Sequence, residues 1–571
     1  MRDRFAEEIA AHLAAVTGRE AEAVRTQLSA PPNPALGDYA FPCFQLAKER
    51  QRPPAAVAAE VQAQLAVRLA TAGERIRAVR AVGPYVNFFV HPETFMREAL
   101  SAVAAEGAAY GTSREGADKV VCLDFSHPNI AKHLGVHHLR STMIGHALRN
   151  IHAALGYRTV AINHLGDWGT QFGQLIVAYE RWGENDPLES EAVEKLNRLY
   201  VRFHAEAEKD ASLYDAAREA FRRLEAGDAR ARELWEKFRA VSLREFERIY
   251  RLLGVTFDSY LGEAHYAPKC RESIARLEAR GLTKISEDAL IVDLEPYGMP
   301  PALLLKRDES TLYLTRDLAA VEDRWNTYHF AKMLYVVDLG QSLHFQQLFK
   351  ILELMGYEWA GRCQHVAFGL MRFKNAKMST RKGQVLMLED VLREGIERAR
   401  AIMAAKNPDL PNADQVAHQV GIAAVVFADL KSKRIKEVVF DWEEALSFEG
   451  ETGPYLQYTH ARLCSILRKH GRPVATQVNF ARLAEPEEMQ LAKCVARFGA
   501  VLHAAAAECE PAILCSYLLD LGAAANHYYH QHRVLSDDAE LTAARVLLVD
   551  AVRQTLANGL RILGLGAPEE M

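Results

Sequence analysis

The feature that most limits the possible fold is a repeated order of apolar run, tight turn and helical pattern. Residues 119–126 are KVVCLDFS, a Pro-Asn pair then interrupts the run, and helical spacing follows from about 136 to 155. Residues 157–169, YRTVAINHLGDWG, repeat the apolar run and the turn. Buried strands that alternate with helices are typical of a doubly wound parallel sheet. The sequence therefore predicts an α/β core of the Rossmann type.

With 571 residues the chain is too long for one hydrophobic core, and three parts can be distinguished. Residues 1–112 combine helical segments with a strand-like AVGPYVNFFV and predict a small α+β domain. Residues 113–387 are expected to form the α/β core, interrupted by a charged helical hairpin at about 180–252. We expect the sheet to resume with DALIVDL, PALLLKRD, TLYLT, MLYVVDL and HVAFGLM. From 388 to 571 we expect no strands but an all-α bundle.

The composition narrows the function classes only slightly. The formal charge, 69 Lys and Arg against 74 Asp and Glu, is −5, and nucleic-acid binding needs only a local basic surface. Eight cysteines occur without a Cys-x-x-Cys pair, so we expect reduced thiols and no structural metal. The N-terminal pattern is unlike a targeting peptide, and no apolar run approaches the roughly 20 residues of a membrane helix. We therefore predict a cytoplasmic protein.

Two polar segments are candidates for phosphate binding. KHLGVHHLRST begins at Lys132, between a predicted strand and its helix, where free N–H groups attract phosphate. KNAKMSTRKGQV, at 374–385, surrounds Gly383 with lysines and an arginine, and such a basic loop suits a triphosphate during group transfer. Each segment alone is explained equally well as a helix cap or a solvated turn. Two such segments on one sheet favour a nucleotide site.

The order of these motifs resembles the class I aminoacyl-tRNA synthetases. Within that class the resemblance to the arginyl-tRNA synthetase family extends over essentially the whole chain, through SHPNIAK (126–132), HLGDWGTQFG (164–173), YLTRDLAA (313–320), DLGQSLHFQQL (338–348), FDWEEALSFEGETGPYLQYTHAR (440–462) and the final LGLGAPEEM. The resemblance implies that arginine and ATP give arginyl-adenylate and pyrophosphate, and that the arginyl group passes to the terminal ribose of its tRNA. It also implies magnesium with the ATP, a need for bound tRNA before activation, and a monomer.

For the nucleotide, this sequence departs from the family pattern at two points. Gly135 stands at the position of the first motif histidine and His137 at that of the glycine, whereas His138 matches. Our hypothesis is that His137, with help from His133, takes over the phosphate-facing role. In the late loop Thr380 replaces the second lysine of the KMSKS pattern, and Lys132 matches the lysine that arginyl enzymes use instead. The implied catalytic residues are Lys132, His137, His138 and Lys377, and the implied ATP contacts are Ser126, Pro128, His133, Gly135, Lys377, Met378, Ser379 and Arg381.

An arginine pocket must offer in-plane acceptors and at least one carboxylate, because a guanidinium is planar, always charged and carries five donors. By resemblance, two carboxylates would face the charged head, an amide would hold the backbone end, and His164 would frame the pocket. For Tyr313 and Asp317 there is a structural alternative, in which an aromatic residue ends a strand and the aspartate caps the following helix. The residues that match the family's arginine contacts are Asn129, Glu263, Tyr313, Asp317 and Gln341.

For tRNA, the resemblance implies that the N-terminal domain contacts the elbow and that the C-terminal bundle binds the anticodon loop. Aromatic residues interleaved with bases suit unstacked RNA bases, although core packing explains the same residues. KSKRIKE, at 431–437, lies where the tRNA body could pass. The candidates are Tyr85, Asn87 and Phe88 near the N-terminus, and Tyr455, Tyr458, Arg462, Asn526 and Tyr529 near the C-terminus.

The altered histidine motif leaves one alternative from another functional class. A non-catalytic tRNA-binding paralogue could have lost its chemistry there. The candidate arginine pocket and the basic loop argue against this alternative, and pyrophosphate exchange separates the two.

Overall fold

The structure is a computed structural model that describes residues 3–69, 75–183, 188, 191–305, 312–374 and 386–571. It divides into two compact units. One contains residues up to 112, 462–500 and 519–558, and the other contains residues 113–461, 501–518 and 559–571. Among the described residues, no helix combines the length and apolar character that crossing a membrane requires.

The N-terminal residues form an α+β domain, as predicted. Its elements are α1 (Arg4–Thr17), α2 (Ala21–Arg25), β1 (Tyr39–Pro42), α3 (Phe44–Arg50), α4 (Pro54–Leu69), β2 (Ile76–Val82), β3 (Tyr85–Val90) and α5 (Pro92–Glu106). The strands form one antiparallel sheet in the order β1-β3-β2. Phe41 and Val86 from the sheet pack with Val57 and Val61 from α4. Burial of these apolar side chains stabilises the domain.

The α/β core begins with the predicted alternation of strand and helix. Its first elements are β4 (Val120–Asp124), α6 (His137–Ala154), β5 (Arg158–Ile162) and α7 (Thr170–Trp182). Strands β4 and β5 pair in parallel, with Asp124 opposite Ile162. Both strands therefore end at the same edge of the sheet, where ligands of parallel sheets bind.

The charged stretch after α7 forms three helices, which corrects the expected hairpin. They are α8 (Ala192–Ala207), α9 (Ser212–Glu225) and α10 (Ala229–Leu253). Along α10, Leu234, Phe238 and Val241 are buried at helical spacing. Exposed positions between them carry most of the charge, which is the pattern of an amphipathic helix.

After the insertion the sheet resumes, but with fewer strands than expected. The elements are α11 (Glu263–Tyr266), α12 (Cys270–Ala279), β6 (Thr283–Ser286), β7 (Ala289–Val292), β8 (Ala302–Leu305), α13 (Tyr313–Tyr328), β9 (Lys332–Tyr335), α14 (Ser342–Leu354), β10 (Cys363–His365) and β11 (Met371–Phe373). The parallel sheet has the order β10-β9-β4-β5. Strands β6, β7 and β8 form a separate antiparallel sheet, so DALIVDL and PALLLKRD do not continue the core.

The prediction of a strand at TLYLT is wrong. Residues from Tyr313 onward begin helix α13. Leu314, Leu318 and Val321 lie three or four residues apart and pack into the core beneath the parallel sheet. This spacing matches a helix face and not the alternation of a strand.

The remaining residues are almost entirely helical. They form α15 (Leu388–Lys406), α16 (Ala413–Leu430), β12 (Val438–Phe440), α17 (Trp442–Ala445), α18 (Gly453–His470), α19 (Pro486–Ala496), α20 (Phe498–Glu508), α21 (Ala512–Gln531) and α22 (Ala539–Ile562). The expectation that strands end before 388 is corrected by β12, which pairs in parallel with β11. The general class is confirmed: an α/β core with a helical insertion, an α+β N-terminal domain and a helical C-terminal part.

Candidate active site

The turn after β4 is held in an unusual backbone conformation. Ser126, His127 and Ala131 have φ angles of 82°, 53° and 62°, in the left-handed region that side chains other than glycine rarely adopt. Such strain is concentrated at functional sites. The turn is secured because the Gly166 N–H donates to the Pro128 carbonyl at 3.0 Å, which ties it to the turn after β5.

Ser126 is turned toward the protein interior. Its backbone N–H donates to Ser141 Oγ at 2.9 Å, and its own Oγ lies 2.7 Å from the hydroxyl of Tyr250. Thr142 Oγ1 donates to the same Oγ at 2.9 Å. These bonds anchor the start of the turn to α6 and α10. Pro128, also buried, lies in the middle of the same turn.

The two motif histidines differ in environment. His137 is exposed in the first turn of α6, and its ring centroid lies 4.0 Å from that of His138. Burial lowers the pKa of His138 to about 3, so this ring is neutral at physiological pH. His138 Nδ1 faces the Gly135 backbone, 3.1 Å from its nitrogen and 3.2 Å from its carbonyl oxygen. In the tautomer that accepts from the Gly135 N–H, Nε2 carries the proton and can donate to a phosphate oxygen.

The other basic candidates surround the same turn. Lys132 is exposed, with its Nζ 5.8 Å from the centre of the Tyr200 ring on α8. His133 is half-buried beside it. Residues 375–385, with the predicted contacts Lys377, Met378, Ser379 and Arg381, lie outside the described residues.

The chain just beyond the basic loop pairs directly with the histidine motif. Gly135 and Met387 form an antiparallel bridge, and the Val136 N–H donates to the Leu386 carbonyl at 3.0 Å. The Leu388 N–H donates to the Leu134 carbonyl at 2.9 Å. Two segments some 250 residues apart in sequence are thus joined at the start of α6.

The arginine-binding candidates converge on the turn after β5. Asn129 bridges Gly166 in parallel register, and the Glu263 N–H donates to the neighbouring Leu165 carbonyl at 3.0 Å. A Cβ on Gly166 would lie 2.0 Å from Asn129 Oδ1, so any larger residue would force the Asn129 amide to move. Glu263 is therefore fixed beside Asn129 through main-chain bonds.

The second carboxylate comes from α13, which packs against α11. Asp317 Oδ2 accepts from His344 Nε2 at 2.7 Å, and its charge acts on Glu263. Tyr313, at the start of α13, is 67% exposed, and Gln341 is exposed in the turn before α14. The structure thus brings Asn129, Glu263 and Asp317 together.

Burial and ion pairing give the two carboxylates opposite pKa shifts. Burial raises the pKa of Glu263 to about 7, although Arg316 opposes this shift through a contact of 2.8 Å. Burial is the largest influence on Asp317 and opposes its ionisation, but the hydrogen bond from His344 and the nearby His164 and Arg324 together outweigh it and lower the pKa. Carboxylates with perturbed pKa values are frequent at ligand sites.

A buried charge network that sequence reasoning missed supports the pocket. Arg324 Nη1 contacts Asp124 Oδ2 at 2.8 Å, and Arg324 Nη2 donates to His164 Nδ1 at 3.0 Å. Burial opposes ionisation of Asp124, but Arg324 and His127 outweigh it and hold its pKa well below the usual range. His164 stacks on Tyr266 at 5.5 Å between centroids. The one feature of the sequence that could have revealed this network is Asp124, a charged residue at the end of an otherwise apolar strand.

Arg140 is a second missed residue. It is 1% exposed and pairs with Asp429 at 2.6 Å. Its Nη1 also donates to the carbonyls of Gly369 and Lys436, at 2.5 and 2.8 Å. One guanidinium thus connects α6 to the end of α16 and to the segments before β11 and β12.

The N-terminal tRNA candidates differ in accessibility. Tyr85 is 39% exposed and meets Phe44 edge to face. Phe88 is fully buried in the core and Asn87 is 2% exposed. Because the Phe88 ring is buried, no RNA base can stack on it in this conformation. The prediction that Phe88 stacks on a base is therefore corrected.

Among the C-terminal candidates, three contact one another. Arg462 Nη1 donates to Asn526 Oδ1 at 2.6 Å, and the Arg462 Cζ lies 5.1 Å from the centre of the Tyr529 ring. Tyr529 is 41% exposed, so one aromatic face and a cation are presented together. Tyr458 is 39% exposed beside Phe448, and Tyr455 is half-buried.

Family models match in three segments. Residues 99–442 match the model described as tRNA synthetases class I (R), catalytic domain, residues 456–571 match the DALR anticodon binding domain, and residues 3–90 match the arginyl tRNA synthetase N terminal domain. The catalytic match and the parallel sheet with its histidine turn define a class I aminoacyl-tRNA synthetase.

Comparison with individual proteins identifies the family within this class. Arginine–tRNA ligases of Clostridioides difficile and Clostridium beijerinckii are 46% and 45% identical to the chain, over 96% and 97% of both sequences. The solved arginyl-tRNA synthetase of Thermus thermophilus is 28% identical, with a TM-score of 0.83 over 100% of both chains. That of Plasmodium falciparum, at 22% identity, a TM-score of 0.81 and 99% coverage of both chains, shares the fold. The chain belongs to the arginyl-tRNA synthetase family.

Proposed function

We propose that the protein ligates L-arginine to its cognate tRNA. The arginine carboxylate attacks the α-phosphorus of Mg²⁺-bound ATP, which forms arginyl-adenylate and expels pyrophosphate. A hydroxyl of the terminal tRNA ribose then attacks the arginyl carbonyl, and AMP leaves. The observation that carries this proposal is the meeting of Glu263 and Asp317 beside Asn129, at the carboxyl edge of a parallel sheet.

The pocket suits one guanidinium because of its charge balance. Its carboxylates are Asp167, Glu263 and Asp317, and its guanidiniums are Arg239, which contacts Asp167 at 3.2 Å, and Arg316. With Glu263 ionised, three negative and two positive charges leave one negative charge for a monovalent cation. Lysine would supply the charge but strand in-plane acceptors, and citrulline would supply the shape without charge.

On the nucleotide side, His137 and His138 face the phosphates together with Lys132. In the tautomer that accepts from the Gly135 N–H, His138 donates through Nε2 and stabilises negative charge that grows as the bond to pyrophosphate breaks. Ser126 and Pro128 shape the turn, and Gly135 holds the histidine motif against Met387. His133, Lys377, Met378, Ser379 and Arg381 complete the ATP contacts by family resemblance.

For tRNA, residues 1–112 contact the elbow, 113–387 hold the catalytic site, and 388–571 bind the stem and the anticodon loop. Tyr85 stacks in the first contact, and the Arg462, Asn526 and Tyr529 cluster takes part in the last. Tyr455 and Tyr458 are further anticodon-side contacts. The enzyme acts as a cytoplasmic monomer.

Pyrophosphate exchange is the direct test of this function. The full chain is incubated with ATP, labelled pyrophosphate, magnesium and arginine, with and without tRNA. We expect exchange that requires arginine and is stimulated by tRNA, followed by arginylation of the tRNA. Exchange with lysine, glutamine or citrulline in place of arginine would contradict the substrate assignment. A chain that binds tRNA without any exchange would be the non-catalytic paralogue.

A further inference from the structure

The Glu263 carboxylate is already paired with a guanidinium of the protein itself. Arg316 Nη1 lies 2.8 Å from Glu263 Oε2, and the two side chains are 13% and 10% exposed. Arg316 lies in the first turns of α13, next to Asp317 and one helical turn from Tyr313. A hydrogen bond between two ionised groups is roughly twice as strong as a neutral one. The guanidinium of a bound arginine would therefore find the Glu263 carboxylate already paired with the guanidinium of Arg316.

We infer that Arg316 is an internal stand-in for the substrate, which pairs with Glu263 before arginine binds and is displaced from that carboxylate when arginine binds. The inference rests on the proposed function, since it concerns the pocket for arginine. It makes Arg316 a residue that sets the affinity of the pocket, because a ligand must replace a guanidinium to reach Glu263.

A second carboxylate is available to Arg316 after displacement. Glu225, at the end of α9, interacts electrostatically with Arg316 and is exposed to solvent. The Arg316 guanidinium also lies 5.7 Å from the centre of the Tyr313 ring, within cation–π range. Arg316 can therefore move between a buried partner and an exposed one without losing all of its charge compensation.

The displacement cost is the same for every ligand that must reach Glu263, because the same Arg316 guanidinium has to leave. The preference for arginine over lysine comes from the ligand itself, since a planar guanidinium matches the carboxylate and an ammonium is a point charge without the fork. Removing Arg316 should therefore tighten the binding of both cations by a similar factor.

The pH dependence of binding separates displacement from simple structural support. The charged groups that face Glu263 are Arg316 and Asp317 from α13 and Asp167 from the turn after β5, and Arg239 and His344 pair with the two aspartates. Without Arg316, the remaining carboxylates raise the pKa of Glu263 further above its present value of about 7. Arginine binding must then release a proton, so its affinity rises more steeply between pH 7 and pH 8.5.

The experiment measures Kd for labelled arginine by equilibrium dialysis, using the full chain with tRNA at pH 7 and pH 8.5. For Arg316→Met we expect binding about tenfold tighter than wild type at pH 8.5, with a steeper pH dependence. The inhibition constant of unlabelled lysine at pH 8.5 should fall by a similar factor, about tenfold. Glu225→Gln should weaken arginine binding about twofold, since it removes the exposed partner.

Arg276→Met is the matched control, because Arg276 also pairs with a carboxylate of α13, Glu322 at 2.6 Å. It should leave Kd unchanged. Weaker arginine binding by Arg316→Met at pH 8.5 would overturn the inference, since Arg316 would then be a permanent partner of Glu263. Equal tightening by Arg276→Met would overturn it as well. If wild type itself fails to bind arginine, it is the proposed function that fails.

Discussion

The proposed arginine side and the proposed phosphate side of the site present their charges differently. On the proposed arginine side, Glu263, Asp317 and Asp124 each have a cationic or histidine partner within 2.8 Å. On the proposed phosphate side, Lys132 and His137 are exposed, and His138 is a neutral imidazole. The difference suits the two tasks. A ligand that is always a cation can be selected by carboxylates whose positions are already fixed by ion pairs. A phosphate whose negative charge grows during the reaction is better served by groups that are free to donate when that charge develops.

The largest effect should come from Asp124→Asn, which strands the buried guanidinium of Arg324. Removing one partner of a buried ion pair costs about 3 to 5 kcal/mol of unfolding free energy. Denaturant titration of the full chain measures the loss. Glu194→Gln breaks the exposed pair with Arg198 and serves as the control, with an expected cost below about 1 kcal/mol. Equal costs for both changes would show that the arginine side is not organised by buried pairing.

His164 should make stability depend on pH. Burial lowers its pKa to about 4, whereas the unfolded chain titrates near 6.5. Between these values the unfolded state binds more protons, so the stabilisation present above pH 6.5 is lost as pH falls toward 4. His164→Gln should remove about 2 to 3 kcal/mol of this dependence. Urea midpoints at pH 7 and pH 5 test it, and an unchanged pH slope would contradict the expectation.

Asp317→Asn should weaken arginine binding by about ten- to a hundredfold, because it removes one charged hydrogen-bond acceptor. The KM for arginine in pyrophosphate exchange measures the loss, and the KM for ATP should hardly change. Asp323→Asn on the same helix, which breaks the pair with Lys269, is the control. A larger change in the KM for ATP than in that for arginine would place Asp317 on the other side of the site.

The smallest effect should come from restoring the family motif with Gly135→His and His137→Gly. Gly135 is paired with Met387 in the present backbone, and His137 is exposed at the start of α6. We expect the exchange rate to stay within about threefold of wild type, or ~0.7 kcal/mol in barrier. A large gain in rate would show that the native arrangement is a defect and not a substitute.

Local patterns predicted the parts of the fold that depend on nearby residues. The run at 119–126 and the helix after it were found because strand length and helical spacing are local properties. TLYLT was misassigned because its β-branched and aromatic residues favour a strand, whereas packing of Leu314 and Leu318 against the core makes it helical. Strands β6 to β8 were assigned to the wrong sheet, since pairing partners are not encoded locally.

The candidate active site also contains contacts that neither local sequence patterns nor family resemblance could predict. Family resemblance supplied Asn129, Glu263 and Asp317, and the structure brings them together. It gave no sign that Arg316 would pair with Glu263. The pairing of Asp124 with Arg324 joins residues 200 positions apart, which no spacing rule in one sequence can show.

The Arg140 contact has a consequence for how such a protein can be divided. A fragment that stopped at residue 387 would keep the complete parallel sheet but lose Asp429 and the Lys436 carbonyl. Arg140, on the helix that begins with the histidine motif, would then lose its counter-charge and part of the structure that buries it. Such a fragment should therefore be less stable than a chain that continues through α16 and β12.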